Sequence, residues 1–216
     1  MPKIIDHANR KEKIAEATYR IICKNGLENA TVRNIAKEAG LSMGAMRYYF
    51  INQGQLYIYC MELINKRFGE RIYSLEYPEA DPPLDHIKRI LGQLLPLDEE
   101  RKLEMEVWMS FNVKSLSDAE LQPISNRMYE DIYKIISFVF DLMSQFGILK
   151  PDLNIPIEIE RLYALVDGLG LHYFLNPKQN TLERIDLVLT QHLELLCIST
   201  NGKVEYPKEN AFGNVI

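Results

Sequence analysis

A chain of 216 residues with 47% hydrophobic and 25% charged side chains has the balance of an ordinary soluble globular protein and is long enough to bury a sizeable core. No apolar run reaches the roughly 18 to 20 residues that a membrane span needs. Lys3 and Asp6 stand where a signal peptide has its apolar stretch, so neither membrane insertion nor export is expected and the chain is read as cytoplasmic.

The net charge of −5 hides an asymmetry, because residues 1–50 carry nine basic against five acidic side chains, a net +4, which leaves −9 for the remainder. A basic N-terminal module on an acidic body is the pattern of a DNA reader joined to a domain with another task. Within that module, residues 8–25 place Ile14, Ala17, Ile21 and Ile22 on one face of an amphipathic helix, with Lys and Arg opposite and Asn25-Gly26 as its stop. Residues 31–50 then hold two short apolar-periodic segments joined by Ala39-Gly40-Leu41, a link that suits two helices crossing at a steep angle. Ala36 is small where the second helix crosses the first, Gly40 supplies a left-handed backbone, and Ser42 is an N-cap. Val32, Ile35, Ala39, Leu41 and Met46 are expected to face inward. That leaves Arg33, Met43, Gly44, Ala45, Arg47 and Tyr48 facing outward, and this free face is the argument for DNA.

A connector helix is expected over residues 53–74, carrying Leu56, Tyr59, Cys60, Leu63, Ile64, Phe68 and Ile72 at helical spacing, and it ends at a Pro-rich turn over 77–83. Helices follow over 84–95 and 99–116. Ser117-Asp-Ala-Glu120 reads as a capping box opening a long helix to Phe146, with Pro123 kinking or delaying its first turn and Gly147 closing it. The helix over 157–174 is apolar nearly all round and interrupted by Gly168 and Gly170, and the last helix opens at Asn180 with Glu183 three residues on. Helices apolar on more than one face need a second covering surface. A homodimer interface through Leu169, Leu189, Leu193 and Leu196, in a four-helix bundle shared by two subunits, is therefore expected. The polar tail after Asn201 is expected to be irregular.

The fold class is all-α. Residues 1–52 are read as a three-helix helix-turn-helix DNA-binding domain, 53–200 as a helical effector-binding and dimerisation domain, and 201–216 as a tail. Cys23, Cys60 and Cys197 are scattered without CxxC spacing and read as reduced thiols. No nucleophile–base pair, phosphate loop or metal-ligand spacing is found, so no cofactor, metal or enzymatic activity is expected.

Gly26, Thr31-Val-Arg-Asn-Ile-Ala, Ala39-Gly-Leu-Ser42, Gly44-Ala-Met, Tyr48-Tyr-Phe50 and Leu56 together resemble the TetR family of transcriptional regulators over about residues 10–60. Trp108 to Phe111 and Leu162 to Leu171 resemble the C-terminal domain of its BetI-like group. The resemblance implies that Thr31 and Ser42 bind phosphates through their hydroxyls and helix N-termini, and that Gly44 and Ala45 bring the recognition helix close to base edges. Tyr48 and Tyr49 match aromatic positions that reach the DNA backbone. Arg47 stands where the family more often has Tyr, placed to neutralise a phosphate or to pair with guanine. Ile51, Asn52 and Gln53 occupy the place of a family Lys, and Arg10, Lys11 or Arg33 is expected to compensate.

A ligand cavity is expected to draw on Glu104, Trp108, Phe111, Tyr129, Tyr133, Phe138, Tyr163, Asp167, His172 and Tyr173, with the two carboxylates suited to a cation, although each of these side chains reads singly as core or surface. The expected function is a homodimeric repressor that binds a near-palindromic duplex DNA operator and is released by a small molecule. The alternative is a DNA-binding protein of the same fold that senses no small molecule and is controlled by its level or by a protein partner.

Overall fold

The computed structural model describes residues 7–26, 29–76, 78 and 81–198. Nine helices lie among them: α1 (His7–Asn25), α2 (Val32–Glu38), α3 (Met43–Tyr49), α4 (Gln53–Tyr73), α5 (Pro83–Gly92), α6 (Glu99–Ser115), α7 (Gln122–Gln145), α8 (Ile155–Leu175) and α9 (Leu182–Leu196). Apart from one isolated antiparallel bridge, Leu149 to Cys197, no sheet pairing occurs among the described residues, and the fold is all-α. The tail 201–216 lies outside the described residues. The chain divides into two compact units, one holding α1 to α3, α4 as far as Arg67, and residues 103–127, the other holding residues 68–102 and the chain from Met128 onward.

In the first unit, α1 buries Ile14, Ala17, Ile21 and Ile22. Thr18 is buried with them, which its hydroxyl tolerates by donating to the Ile14 carbonyl at 2.8 Å. Ile35 and Ala36 of α2, Met46 of α3, and Leu56, Tyr57, Cys60, Met61 and Ile64 of α4 are buried as well. Gly40 has φ +64°, a conformation that strains any side chain, and the Leu41 N–H closes back on the Ala36 carbonyl at 2.8 Å. A chain of ion pairs runs over the surface of this unit. Arg67 of α4 meets Glu16 of α1, Arg20 meets Glu16, and Arg20 Nε lies 3.1 Å from Glu38 of α2.

The second unit is built on Ile87, Ile90 and Leu91 of α5, Ile136, Val139, Phe140 and Met143 of α7, Leu162 and Val166 of α8, and Ile185 of α9. Fully burying an aliphatic side chain of this size contributes about 1.5 to 3 kcal/mol. Leu189, Leu193 and Leu196 belong to this same core, and Leu169 packs against it. The four leucines expected at a dimer interface thus lie in or against the subunit's own core. Apolar periodicity cannot tell which of two apolar faces fills the subunit's own core, and the leucines left exposed are Leu171 and Leu175 of α8 with Leu182, Leu187 and Leu195 of α9.

Two helix starts also differ from expectation. The capping box at residues 117–120 does not form, because Ser117 Oγ donates back to the Lys114 carbonyl and Asp118 Oδ1 accepts the Glu120 N–H at 3.2 Å in a local turn. Helix α7 begins at Gln122, which leaves Pro123 in a first turn where its missing N–H costs nothing. At α9 the cap is Thr181, whose Oγ1 accepts the Arg184 N–H at 3.3 Å, while the Asn180 amide donates to the His172 and Asn176 carbonyls.

Candidate functional site

The α2–turn–α3 segment is fixed at each start by a hydroxyl cap. Thr31 Oγ1 accepts the Asn34 N–H at 3.2 Å, and Ser42 Oγ accepts the Ala45 N–H at 3.1 Å. Each hydroxyl keeps its own proton free to donate outward. Arg33, Ser42, Met43, Gly44, Arg47 and Tyr48 are exposed, while Thr31, Ala45 and Tyr49 are half-buried and Phe50 is core. Among the described residues nothing requires Gly44 to lack a side chain, since a Cβ there would meet only Ser42 Oγ at 3.9 Å. The bare backbone faces the outside, where it permits close approach.

The place of the family's Lys is taken by a helix cap. Asn52 Oδ1 accepts the Gln55 N–H at 2.8 Å, and the Gln55 side-chain oxygen accepts the Ile51 N–H at 3.1 Å. Lys11 places its ammonium 5.9 Å from the Phe50 ring centre and 5.8 Å from that of Tyr59. Sequence reasoning missed His7, whose ring contacts those of Tyr48 and Tyr49. Its separation of about forty residues from them carries no local signal.

The residues expected to line a ligand cavity fall in both units. Glu104 and Phe111 are buried and Trp108 half-buried in the first. In the second, Phe138 is buried, Tyr133 half-buried and His172 exposed at the end of α8. The structure brings Tyr129, Tyr133, Tyr163 and Asp167 together. Tyr129 stacks on Tyr163 with ring centres 5.1 Å apart at 26°, and lies 6.4 Å from Tyr133. Its hydroxyl is 3.4 Å from both carboxylate oxygens of Glu160, a residue that sequence reasoning left out. Burial, and then the charge of Asp167, push the Tyr163 phenol up. Asp167 presents open surface, yet the bulk of chain around it pushes its carboxyl up to about 6. Two carboxylates thus stand beside three phenol rings, an arrangement suited to a cation. Cys23, Cys60 and Cys197 are free thiols, and burial pushes the Cys60 thiol up to about 12.

A seven-residue helix with an open polar face, set by a tight turn against a second short helix in an otherwise helical chain, defines a helix-turn-helix regulator. Comparison with known proteins narrows the class. Residues 14–60 match the family described as bacterial regulatory proteins, tetR family, and residues 83–198 match the BetI-type transcriptional repressor, C-terminal. The chain belongs to the TetR family of transcriptional regulators. It is 39% identical over 205 residues to the HTH-type transcriptional regulator PksA of Bacillus subtilis (strain 168), covering 95% of this chain and 98% of that protein. Among solved structures, a transcriptional regulator from Rhodococcus sp. Rha1 is similar with a TM-score of 0.73 at 27% identity, over 86% of this chain and 95% of that one. A regulator from Saccharomonospora viridis in complex with choline shares the fold with a TM-score of 0.74 at 20% identity, over 92% of this chain and 99% of that one.

Proposed function

We propose that the protein is a ligand-responsive transcriptional repressor, which binds a near-palindromic operator as a homodimer and is released by a small organic cation held in its C-terminal region. The observation that carries the reading is the outward face of α3. Arg47 and Tyr48 stand exposed beside a bare Gly44, and the capping hydroxyls of Thr31 and Ser42 flank the turn. Arginine and hydroxyl donors hold phosphates, and a backbone without side chains lets a helix sit deep in a major groove. Two copies present two such faces, matched to grooves roughly 34 to 36 Å apart on one side of a duplex. The exposed leucines of α8 and α9 offer the apolar surface for pairing.

The effector class follows from the tyrosine and carboxylate cluster of the second unit. Ring faces of Tyr129, Tyr133 and Tyr163 with the charges of Glu160 and Asp167 suit a quaternary or protonated amine, and each cation–π contact contributes about 0.5 to 2 kcal/mol. Choline in the Saccharomonospora viridis protein of the same fold is such a cation. Release requires the cation to bind the DNA-incompetent state more tightly than the competent one, and a tenfold loss of operator affinity needs about 1.4 kcal/mol of that difference. Helix α4, common to both units, is the element through which such a preference reaches the reader.

Footprinting the DNA upstream of the protein's own gene tests both halves of the reading. A protected stretch with two-fold symmetry is expected, lost on adding choline but not its uncharged carbon analogue. Absence of any protection there removes the operator reading. Protection that no organic cation disturbs removes the effector and leaves the DNA-binding protein without a small-molecule ligand.

A further inference from the structure

Three aromatic rings meet where α3 ends. The ring of His7, the first residue of α1, lies 5.6 Å from that of Tyr48 and 5.8 Å from that of Tyr49, and the two tyrosines meet edge to face at 5.2 Å. His7 and Tyr48 are exposed and Tyr49 is half-buried, so the triangle is open to the outside and continuous with the exposed Arg47. The tyrosines therefore hold the imidazole ring in place and leave its edge open to a partner.

The charges around this triangle are of one sign on the element packed against it. Helix α3 carries Arg47 and no carboxylate. On α1 the nearest charged residues after His7 are Arg10 and Lys11, with Glu12 and Lys13 following, and Lys11 is drawn over Phe50 and Tyr59. Asp6, which precedes His7, lies outside the described residues. A surface of this charge, with exposed rings among its cations, fits the phosphate backbone of a duplex.

We propose that the first turn of α1 is part of the nucleic-acid interface, with His7 donating from its imidazole to a backbone phosphate while Tyr48 and Tyr49 fix the ring. This rests on the operator reading above. Loss of an exposed contact of this kind corresponds to about two- to fivefold in affinity for the duplex.

The test is an anisotropy titration of the full chain on a duplex from the region upstream of its own gene, at one fixed pH and salt concentration. Wild type, His7→Phe and His7→Lys are compared, after circular dichroism has established equal helicity. His7→Phe keeps a ring against Tyr48 and Tyr49 but has no donor, and is expected to bind about two- to fivefold more weakly than wild type. His7→Lys supplies a donor again and should bind more tightly than His7→Phe. His7→Phe equal to wild type would overturn the proposal, since that assigns His7 only the support of Tyr48. Wild-type binding establishes the operator reading by itself, and a wild type that does not bind this DNA overturns both.

Discussion

Asn52 Oδ1 accepts the backbone N–H of Gln55 at 2.8 Å, and Gln55 answers through its own side chain to the Ile51 N–H. The first contact satisfies one of the donors that every helix start leaves open, here at the head of α4, and the second ties down the residue before the cap. Removal of the cap by Asn52→Ala should cost about 1 kcal/mol, read as a fall of about 2 to 4 °C in the melting temperature of a chain this size. An unchanged melting temperature would show that water replaces the side chain fully.

Arg47 is exposed on the last turn of α3. If it contacts phosphate alone, Arg47→Ala should weaken binding to all duplexes alike and reduce the salt slope by about 1. A guanine contact would instead give a loss of about 1 to 3 kcal/mol confined to one operator position. Titration of the operator and of a scrambled duplex separates the two. Equal affinity of variant and wild type on both removes Arg47 from the interface.

Leu193 and Leu195 lie on opposite sides of α9, the first with no exposed surface and the second 70% exposed. Leu193→Ala should therefore lower stability by about 2 to 5 kcal/mol, because it opens a cavity in a packed core. Leu195→Glu should leave the melting of the subunit near wild type and give a monomeric mass in light scattering. A dimer that survives a charge at both Leu187 and Leu195 would place the pairing surface elsewhere.

The carboxyl of Asp167, pushed up to about 6 from an ordinary value of 3.8 by the bulk of chain around it although it keeps open surface, binds its proton more tightly folded than unfolded. Its protonated form therefore favours the fold. That contribution is full below about pH 4 and is lost as pH rises through 6. Compared with wild type, Asp167→Asn should flatten the pH dependence of the melting temperature between pH 4 and 6. Affinity for an organic cation should move in the opposite sense, falling as acid neutralises the carboxylate, and calorimetric titrations at pH 5 and pH 7 check it. Equal cation affinity at both would remove Asp167 from the site.

The reader was the most legible part of the chain. Gly40 and Ser42 announce it because left-handed backbone and capping are local requirements that only a few residue types meet. Helix order and number were legible through apolar spacing. Interfaces were not. Leu189, Leu193 and Leu196 look the same in sequence as Leu187 and Leu195, and only packing decides which set is interior. Helix starts failed where two caps competed, as Asn180 and Thr181 did. The contact of His7 with Tyr48, and the pairing of Tyr129 with Glu160, join residues distant in sequence whose proximity depends on how the helices pack.

Glu38, Arg20, Glu16 and Arg67 link α2, α1 and α4 in one series across the first unit. Contacts of this exposure weaken as ions are added, in the same range of concentration that strips a protein from duplex DNA. Added salt therefore acts on the reader twice, by competing for the phosphates outside and by loosening the brace that holds α2 to α4 within. A phosphate count taken from a salt titration of the wild-type chain will run high by the share that belongs to this brace. Replacing Glu16 and Arg67 together by an apolar pair isolates that share.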